Sequence, residues 1–441
     1  DTGIYVIGSD YAETSGQLPT DIRMTAGMND PNWNLANFNA QPKSHPDPLG
    51  RDWERDVHFD YIDASGVSVY SGDGVVQIQG QFSRNNEQKG LALIAKGAYG
   101  DSTFGYPFFE NRTSTTYKSL ILRASAQDAT YSRIRDNLVT TLFEEGNNGL
   151  PEDRAVVVQA HKQVVVLING KYWGVYDFME RIKEDFVASR FHLSNPDSVD
   201  LLYGNGNQFC VLAGNGWEDY TEMVEWAGSN DLSNPSNYEH INTLMDTENY
   251  ATYVAAEIVI GNTDSGNVKY WRSPEKDNKW RWILYDFCWA MNRNDNSKDE
   301  YSSGYRRDFY SRYFNPEGHG SSKATSTVLI RALLQNPTFK QMFLEKVAIM
   351  LNEVYTPEKI NAMVDRLQGN IAEEMKFDVD LWDNINYSSW QQHCDNIRDY
   401  ANHYQEYSLK YVQNYFGLSD SEMMNIFGRV STLEDTAANG E

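Results

Sequence analysis

Asn262-Thr-Asp264-Ser-Gly-Asn267, answered twenty-odd residues later by Leu284-Tyr-Asp286-Phe-Cys-Trp289, is the part of this chain on which its reading turns. Between the two, Val268 to Ser273 and Lys279 to Ile283 are rich in β-branched and aromatic residues. Pro274-Glu-Lys-Asp-Asn278 separates them with the composition of a hairpin loop. A hairpin closing near Lys276 brings Asp264, Asn267 and Asp286 to one end. Two carboxylates and an amide oxygen held there suit a hard divalent cation and a phosphate. Asp, Asn and Gly are also turn formers, so Asp264 and Asn267 fit an ordinary loop as well. Asp286 is harder to place that way. It follows Trp280-Arg-Trp-Ile-Leu-Tyr285, which has the character of a half-buried strand, where a carboxylate needs a partner or a metal.

The order of these parts is that of a protein-kinase centre: a catalytic-loop Asp with a nearby Asn, a short hairpin, then a metal-binding Asp followed by Phe. Composition sets the frame. The chain has 441 residues, 40% of them hydrophobic and 13% aromatic, which excludes global disorder. Its 62 acidic against 38 basic residues leave a net charge of −24, which argues against nucleic acid as a general partner. No apolar run reaches the length of a membrane span. Cys210, Cys288 and Cys394 are too few and scattered for a disulfide framework or zinc site and read as buried small hydrophobes. The first residue is Asp1 rather than Met, so a removed signal peptide or lipoprotein leader is one expectation. With the acidity and cysteine poverty, it favours an extracellular or cell-surface protein of a bacterium.

Residues 1–50 read as a polar extension with one apolar run, Ile4-Tyr-Val-Ile7. Val57, Phe59 and Tyr61, a turn at Asp63-Ala-Ser-Gly66, and Val67 and Val69 predict a hairpin. Val75 to Gln79, Leu91 to Ile94, Leu120 to Leu122, Val156 to Val158 and Val164 to Ile168 predict further strands. Asn169-Gly170 is the strongest hairpin signal in the chain. Helical patterns run over Ala124 to Glu145, Glu180 to Arg190 and Tyr250 to Ile260. After Tyr301, apolar stripes such as Leu329, Leu333, Phe339 and Phe343 predict a helical C-terminal part. Thr356-Pro357 reads as a helix start and Gly417 as a stop.

Other clusters carry charge. Gln79-Gly-Gln-Phe-Ser-Arg84 leads through a polar loop to Lys89-Gly90 and a strand, so Lys89 fits either a phosphate contact or an exposed hairpin charge. Glu180-Arg181 lies where a strand turns into a predicted helix. Arg123, Asp128, Arg133, Arg135 and Asp136 form a basic–acidic cluster that fits a salt-bridge network first and a substrate contact second. Gly204-Asn-Gly206 and Gly214-Asn-Gly216 lack a following Lys-Ser/Thr and read as turns. Eleven tryptophans, four of them between Trp271 and Trp289, make a carbohydrate-binding surface a second candidate reading.

Taken in order, these elements resemble the CotH family of spore-coat protein kinases with an atypical kinase-like fold. The resemblance rests on several pieces: Ile78-Gln-Gly80 through Arg84 to Lys89, and Lys118-Ser-Leu-Ile-Leu-Arg123 with Asp128. It continues in Asn169-Gly-Lys-Tyr-Trp-Gly-Val-Tyr176, Glu180-Arg181, Asn262 to Asn267 and Trp282-Ile-Leu-Tyr-Asp286, and runs from Trp53 into the C-terminal helices. It implies an α+β, divergent protein-kinase-like fold: an N-terminal extension (1–50), a β-rich core with the catalytic hairpin (51–300) and a helical part of the same domain (301–441). It also implies transfer of the γ-phosphoryl group of ATP to a protein hydroxyl with Mg²⁺ or Mn²⁺. Asp264 would be the catalytic Asp and Asp286 the metal ligand. Arg84 and Lys89 would lie near the phosphates, and Glu180 would order Lys89. Asn267 as second metal ligand follows from kinase logic. Family members often read Trp-Asp-x-Asp where this chain has Tyr285-Asp-Phe-Cys288. The rival reading is a catalytically silent surface module that binds a glycan or protein.

Overall fold

Alternating Val57, Phe59 and Tyr61 become strand β1 (Arg55–Ile62), whose burial alternates in step with the pattern. It turns at Gly66 into β2 (Ser68–Gln79), followed by β3 (Gly90–Ile94) and β4 (Ser119–Arg123). Helix α1 (Arg135–Glu145) comes next, then the hairpin of β5 (His161–Ile168) and β6 (Lys171–Glu180). These strands form one six-stranded antiparallel sheet in the order β1-β2-β3-β4-β6-β5. Asn169 and Gly170 take φ of 50° and 75°, the left-handed pair that a two-residue hairpin of this twist requires.

Helix α2 (Glu184–Phe191) leads to β7 (Asp200–Asn205) and β8 (Gln208–Ala213). Helices α3 (Trp217–Ser229), α4 (Pro235–Leu244) and α5 (Thr247–Val259) then deliver the chain to β9 (Lys269–Arg272) and β10 (Arg281–Ile283). A second antiparallel sheet has the order β8-β7-β9-β10. Beyond it lie α6 (Phe309–Tyr313), α7 (Val328–Leu333), α8 (Pro337–Ile349), α9 (Pro357–Trp382), α10 (Tyr387–Phe416) and α11 (Asp420–Phe427). Thr356 caps α9 through the Lys359 N–H, and Gly417 ends α10 at φ 63°. The chain is thus α+β with a helical C-terminal part. This computed structural model describes residues 55–433 except 81–82, 84–85, 206–207, 297–298, 300–301, 320–321 and 324–326. The extension expected over residues 1–50 lies outside them. Among the described residues, no helix is long and apolar enough to cross a membrane.

Three expectations are corrected. The helix expected from Ala124 begins only at Arg135, because Asp128 accepts from Ser132 Oγ and from the backbone N–H groups of Ser132 and Arg135 and winds the segment into turns. The helix expected from Glu180 begins at Glu184: Glu180 is the last residue of β6, paired with Leu120. Val156 to Val158 make only a single bridge, Val157 to Ile283, with the Leu284 N–H donating to Val157 O at 3.0 Å. That bridge joins the segment between α1 and β5 to the second sheet.

One core cluster runs from Ile134 and Leu138 through α5 to Tyr404 and Phe427, while Ile78, Leu93, Phe108 and Phe178 fill a separate cluster on the first sheet. Trp271, Trp280 and Trp282 are core residues, so only Trp289 of the four clustered indoles keeps partial exposure.

The Trp173-Gly174-Val175 stretch shows why a glycine stands there. Gly174 has φ 110°, and a Cβ would run into the Asp378 carboxylate, Gln88 and Trp382. Through that gap Asp378 of α9 accepts the Val175 N–H at 2.7 Å and pairs with Arg133. Asp378 is fully buried, so Asp378→Ala leaves the Arg133 guanidinium buried without its carboxylate. The expected loss is about 3–5 kcal/mol in urea unfolding. A loss within error would mean that α9 is not held to β6 by this pair.

Candidate functional site

Arg123 closes β4 on the first sheet, and Asp136 lies in the first turn of α1. Arg123 Nε is 3.1 Å from Asp136 Oδ2, and its terminal nitrogen is 2.6 Å from Asp286 Oδ1. The other Asp136 oxygen accepts the backbone N–H groups of Asp286 and Phe287, both at 3.1 Å. Those two bonds hold the chain where Asp286 takes φ 66°, a left-handed conformation that costs a side-chain-bearing residue roughly 1–2 kcal/mol. Burial raises the Asp136 pKa and the Arg123 charge opposes it. Burial works against the Arg123 charge, but Asp286 and Asp136 beside it together hold its pKa well above the ordinary value, and it stays charged.

The second half of the site is the turn after α5. Gly261, at φ 64°, lets the chain pass between Phe309 and Tyr400, where a Cβ would fall 2.7 Å from the Tyr400 hydroxyl. Asn262 then accepts the Asp264 N–H at 3.1 Å and donates to Glu257 Oε2 at 2.8 Å. Glu257 is buried and also accepts from Tyr313 at 2.9 Å; burial pushes its pKa up to about 7 against those hydrogen bonds. Thr263 Oγ1 donates to Trp289 O at 3.1 Å, lacing the Asp264 turn to the segment after Asp286.

Asn267 joins the two halves. Its Nδ2 donates to Asp264 Oδ2 at 3.0 Å and to Asp286 Oδ2 at 2.8 Å, while Oδ1 accepts from Tyr203 at 2.7 Å. The positively polarised amide nitrogen therefore occupies the point between two carboxylates that a small cation would take. Two carboxylate oxygens, with phosphates and water completing the shell, fit Mg²⁺ or Mn²⁺. Asn267 itself would have to turn its amide to offer oxygen, with Tyr203 then accepting from the NH₂. Among the described residues there is no group of three or more His, Cys, Asp or Glu side chains placed to hold a metal ion alone.

The remaining sequence candidates fall elsewhere. Lys89 lies just before β3, is only 1% exposed, and burial lowers its pKa to about 8 against the pull of Glu87. Glu180 does not stand on a helix facing Lys89. Its carboxylate accepts from Arg112 at 2.9 Å, Arg190 at 3.3 Å and the Ala160 N–H at 2.7 Å. Arg84 lies outside the described residues. Cys288 is a buried thiol that receives Arg123 at 3.2 Å, and burial raises its pKa, keeping it protonated. Of the charged cluster read from sequence, Arg123 and Asp136 reach the site. Arg133 and Arg135 pair with Asp378 and Asp128. Tyr203, Glu257 and Lys269 escaped sequence reasoning altogether.

These features define an α+β protein in which a salt bridge from one antiparallel sheet meets an acidic hairpin of another. The chain belongs to the CotH kinase protein family, whose model matches residues 76–407. No curated protein matches it.

Asp177 of β6 lies across from Arg123 and accepts from Asn137 at 2.5 Å; burial raises its pKa from 3.8 to about 7. The folded protein therefore holds a proton there that the unfolded chain has released between about pH 4 and 7, and stability falls as pH rises through that window. Asp177→Asn removes this dependence. Its stability relative to wild type, from urea unfolding, is expected to grow from pH 4 to pH 7, and a pH-independent difference would contradict the assignment.

Proposed function

We propose that this chain is an ATP-dependent kinase that transfers the γ-phosphoryl group to a protein hydroxyl, with Mg²⁺ or Mn²⁺ held by Asp286 and Asp264. The observation that carries the reading is the convergence of Asp264 and Asp286 on one atom, Asn267 Nδ2, beside the Arg123–Asp136 pair. Kinases use a sheet cation paired with a helix carboxylate to place the phosphates, and an Asp after a hairpin to hold metal. Arg123 at the end of a strand and Asp136 in the next helix supply the first; Asp286 after β10 supplies the second. Because the Lys89 side chain is buried, the phosphate contact passes in this reading to Arg123, whose planar fork reaches carboxylate and phosphate alike. When bound, a metal held by Asp286 and Asp264 would offset the negative charge of the phosphates.

In the reaction the acceptor hydroxyl oxygen bonds to the γ-phosphorus as the bond from phosphorus to the β–γ bridging oxygen breaks, and ADP leaves. Asp264 takes the hydroxyl proton on the carboxylate oxygen not turned toward Asn267, the role its place in the turn before the hairpin suits. Without a cation, Asn267 fixes the spacing of the two carboxylates. Most of the catalytic effect comes from positioning and charge compensation rather than covalent chemistry.

With ATP and Mg²⁺ at a hundredfold excess over the dissociation constant, wild type should gain about 2.7 kcal/mol, read as a rise in Tm. Asp286→Ala should lose both the metal-dependent rise and phosphoryl transfer to a generic protein acceptor, with its circular dichroism unchanged. No rise in wild type at millimolar nucleotide, and no transfer, would favour a silent surface module, the reading to which the Cys288 thiol in place of an acid lends support.

A further inference from the structure

Lys269 is the second cation of the hairpin end. It opens β9, two residues after Asn267, and pairs across the sheet with Tyr203 on one side and Ile283 on the other. Directly opposed residues share a face, so Lys269 and Tyr203 lie together. The Tyr203 hydroxyl is the group that fixes Asn267. The ammonium rests 3.7 Å from the centre of the Tyr285 ring and 5.6 Å from that of Tyr203.

An ammonium carries three N–H donors. Ring faces attract its charge but do not satisfy those donors as an oxygen does. Among the described residues, the contacts of the Lys269 ammonium are these two rings, with no side-chain hydrogen bond or ion pair. Burial disfavours the charge on this amine most; Asp286 and Asp136 favour it, and Arg123 and Lys183 oppose it. Two cations, Arg123 and Lys269, thus stand by Asp286 in a chain whose net charge is −24. A half-buried ammonium that rests on ring faces beside the Arg123 guanidinium can turn its N–H groups to an arriving polyanion, which both cations attract.

We propose that Lys269 and Arg123 together form the subsite for the polyphosphate tail of the nucleotide, with Lys269 donating directly to phosphate oxygen. This rests on the nucleotide reading of the site and goes past it by assigning the tail to a lysine of the hairpin. The aromatic bed supplied by Tyr285 and Tyr203 holds the amine in place, so little side-chain freedom remains to be lost on binding.

The test uses wild-type protein and acetylation of lysines, read by mass spectrometry, with ATP·Mg²⁺, tripolyphosphate·Mg²⁺ or adenosine. Lys269 should be protected by ATP and by tripolyphosphate and not by adenosine. In parallel, Lys269→Met should bind ATP·Mg²⁺ roughly tenfold more weakly by calorimetry, the order expected for one charge-assisted contact. Acetylation of Lys269 at the same rate with and without ATP, in wild type that does bind ATP, would overturn the subsite and leave the nucleotide reading standing. So would protection by adenosine alone, or Lys269→Met affinity within twofold of wild type. Wild type that binds neither ATP nor tripolyphosphate would remove the nucleotide reading, and this inference with it.

Discussion

The Asp136 carboxylate is the contact on which the site depends. One oxygen holds Arg123 at the end of the first sheet, and the other holds two successive N–H groups at Asp286 and Phe287, just past the second. A single buried side chain thus sets the direction of the guanidinium and the backbone corner from which Asp286 projects. Burying a carboxylate is unfavourable unless it is paired and hydrogen-bonded, and Asp136 is both. Because the partners belong to different sheets, the arrangement exists only when α1, the first sheet and the hairpin are docked together.

The Asp264 turn is held by a separate set of bonds. Glu257 fixes Asn262, Asn262 fixes the Asp264 N–H, and Thr263 is tied to Trp289. Asn267 connects this turn to Asp286, and Tyr203 connects Asn267 to the neighbouring strand. Each carboxylate is therefore oriented by groups that are themselves fixed, the condition under which charge compensation is effective without reorganisation. The left-handed corner at Asp286 and the glycine at 261 are the local departures from ordinary backbone that this geometry requires.

Much of this was legible in the sequence because it is local. The hairpin between Asn267 and Asp286, the Asn169-Gly170 turn and the alternating strands follow from periodicity and turn chemistry. Asp264, Asn267 and Asp286 were brought together by counting along one hairpin. Arg123 and Asp136 were visible only as members of a charged cluster. Nothing in their spacing says that Arg133 and Arg135 turn to Asp378 and Asp128 while Arg123 reaches across to Asp286, because those choices are made by tertiary packing. Glu180 misled for the same reason: its strand runs on through Met179 to Glu180, and two arginines from outside the motif, Arg112 and Arg190, claim it. Lys269 looked like a strand residue and nothing more until the rings of Tyr285 and Tyr203 were placed beside it.

In the proposed site the two hairpin carboxylates hold a cation and the phosphates of a nucleotide beside Arg123. Crystals grown with Mn²⁺ and a non-hydrolysable ATP analogue test this placement, because the anomalous signal of manganese locates the ion independently of the protein chain. The expected result is a manganese peak between the carboxylates of Asp264 and Asp286, with the analogue's phosphates against Arg123. Manganese absent from those carboxylates, or nucleotide bound elsewhere on the molecule, would contradict it.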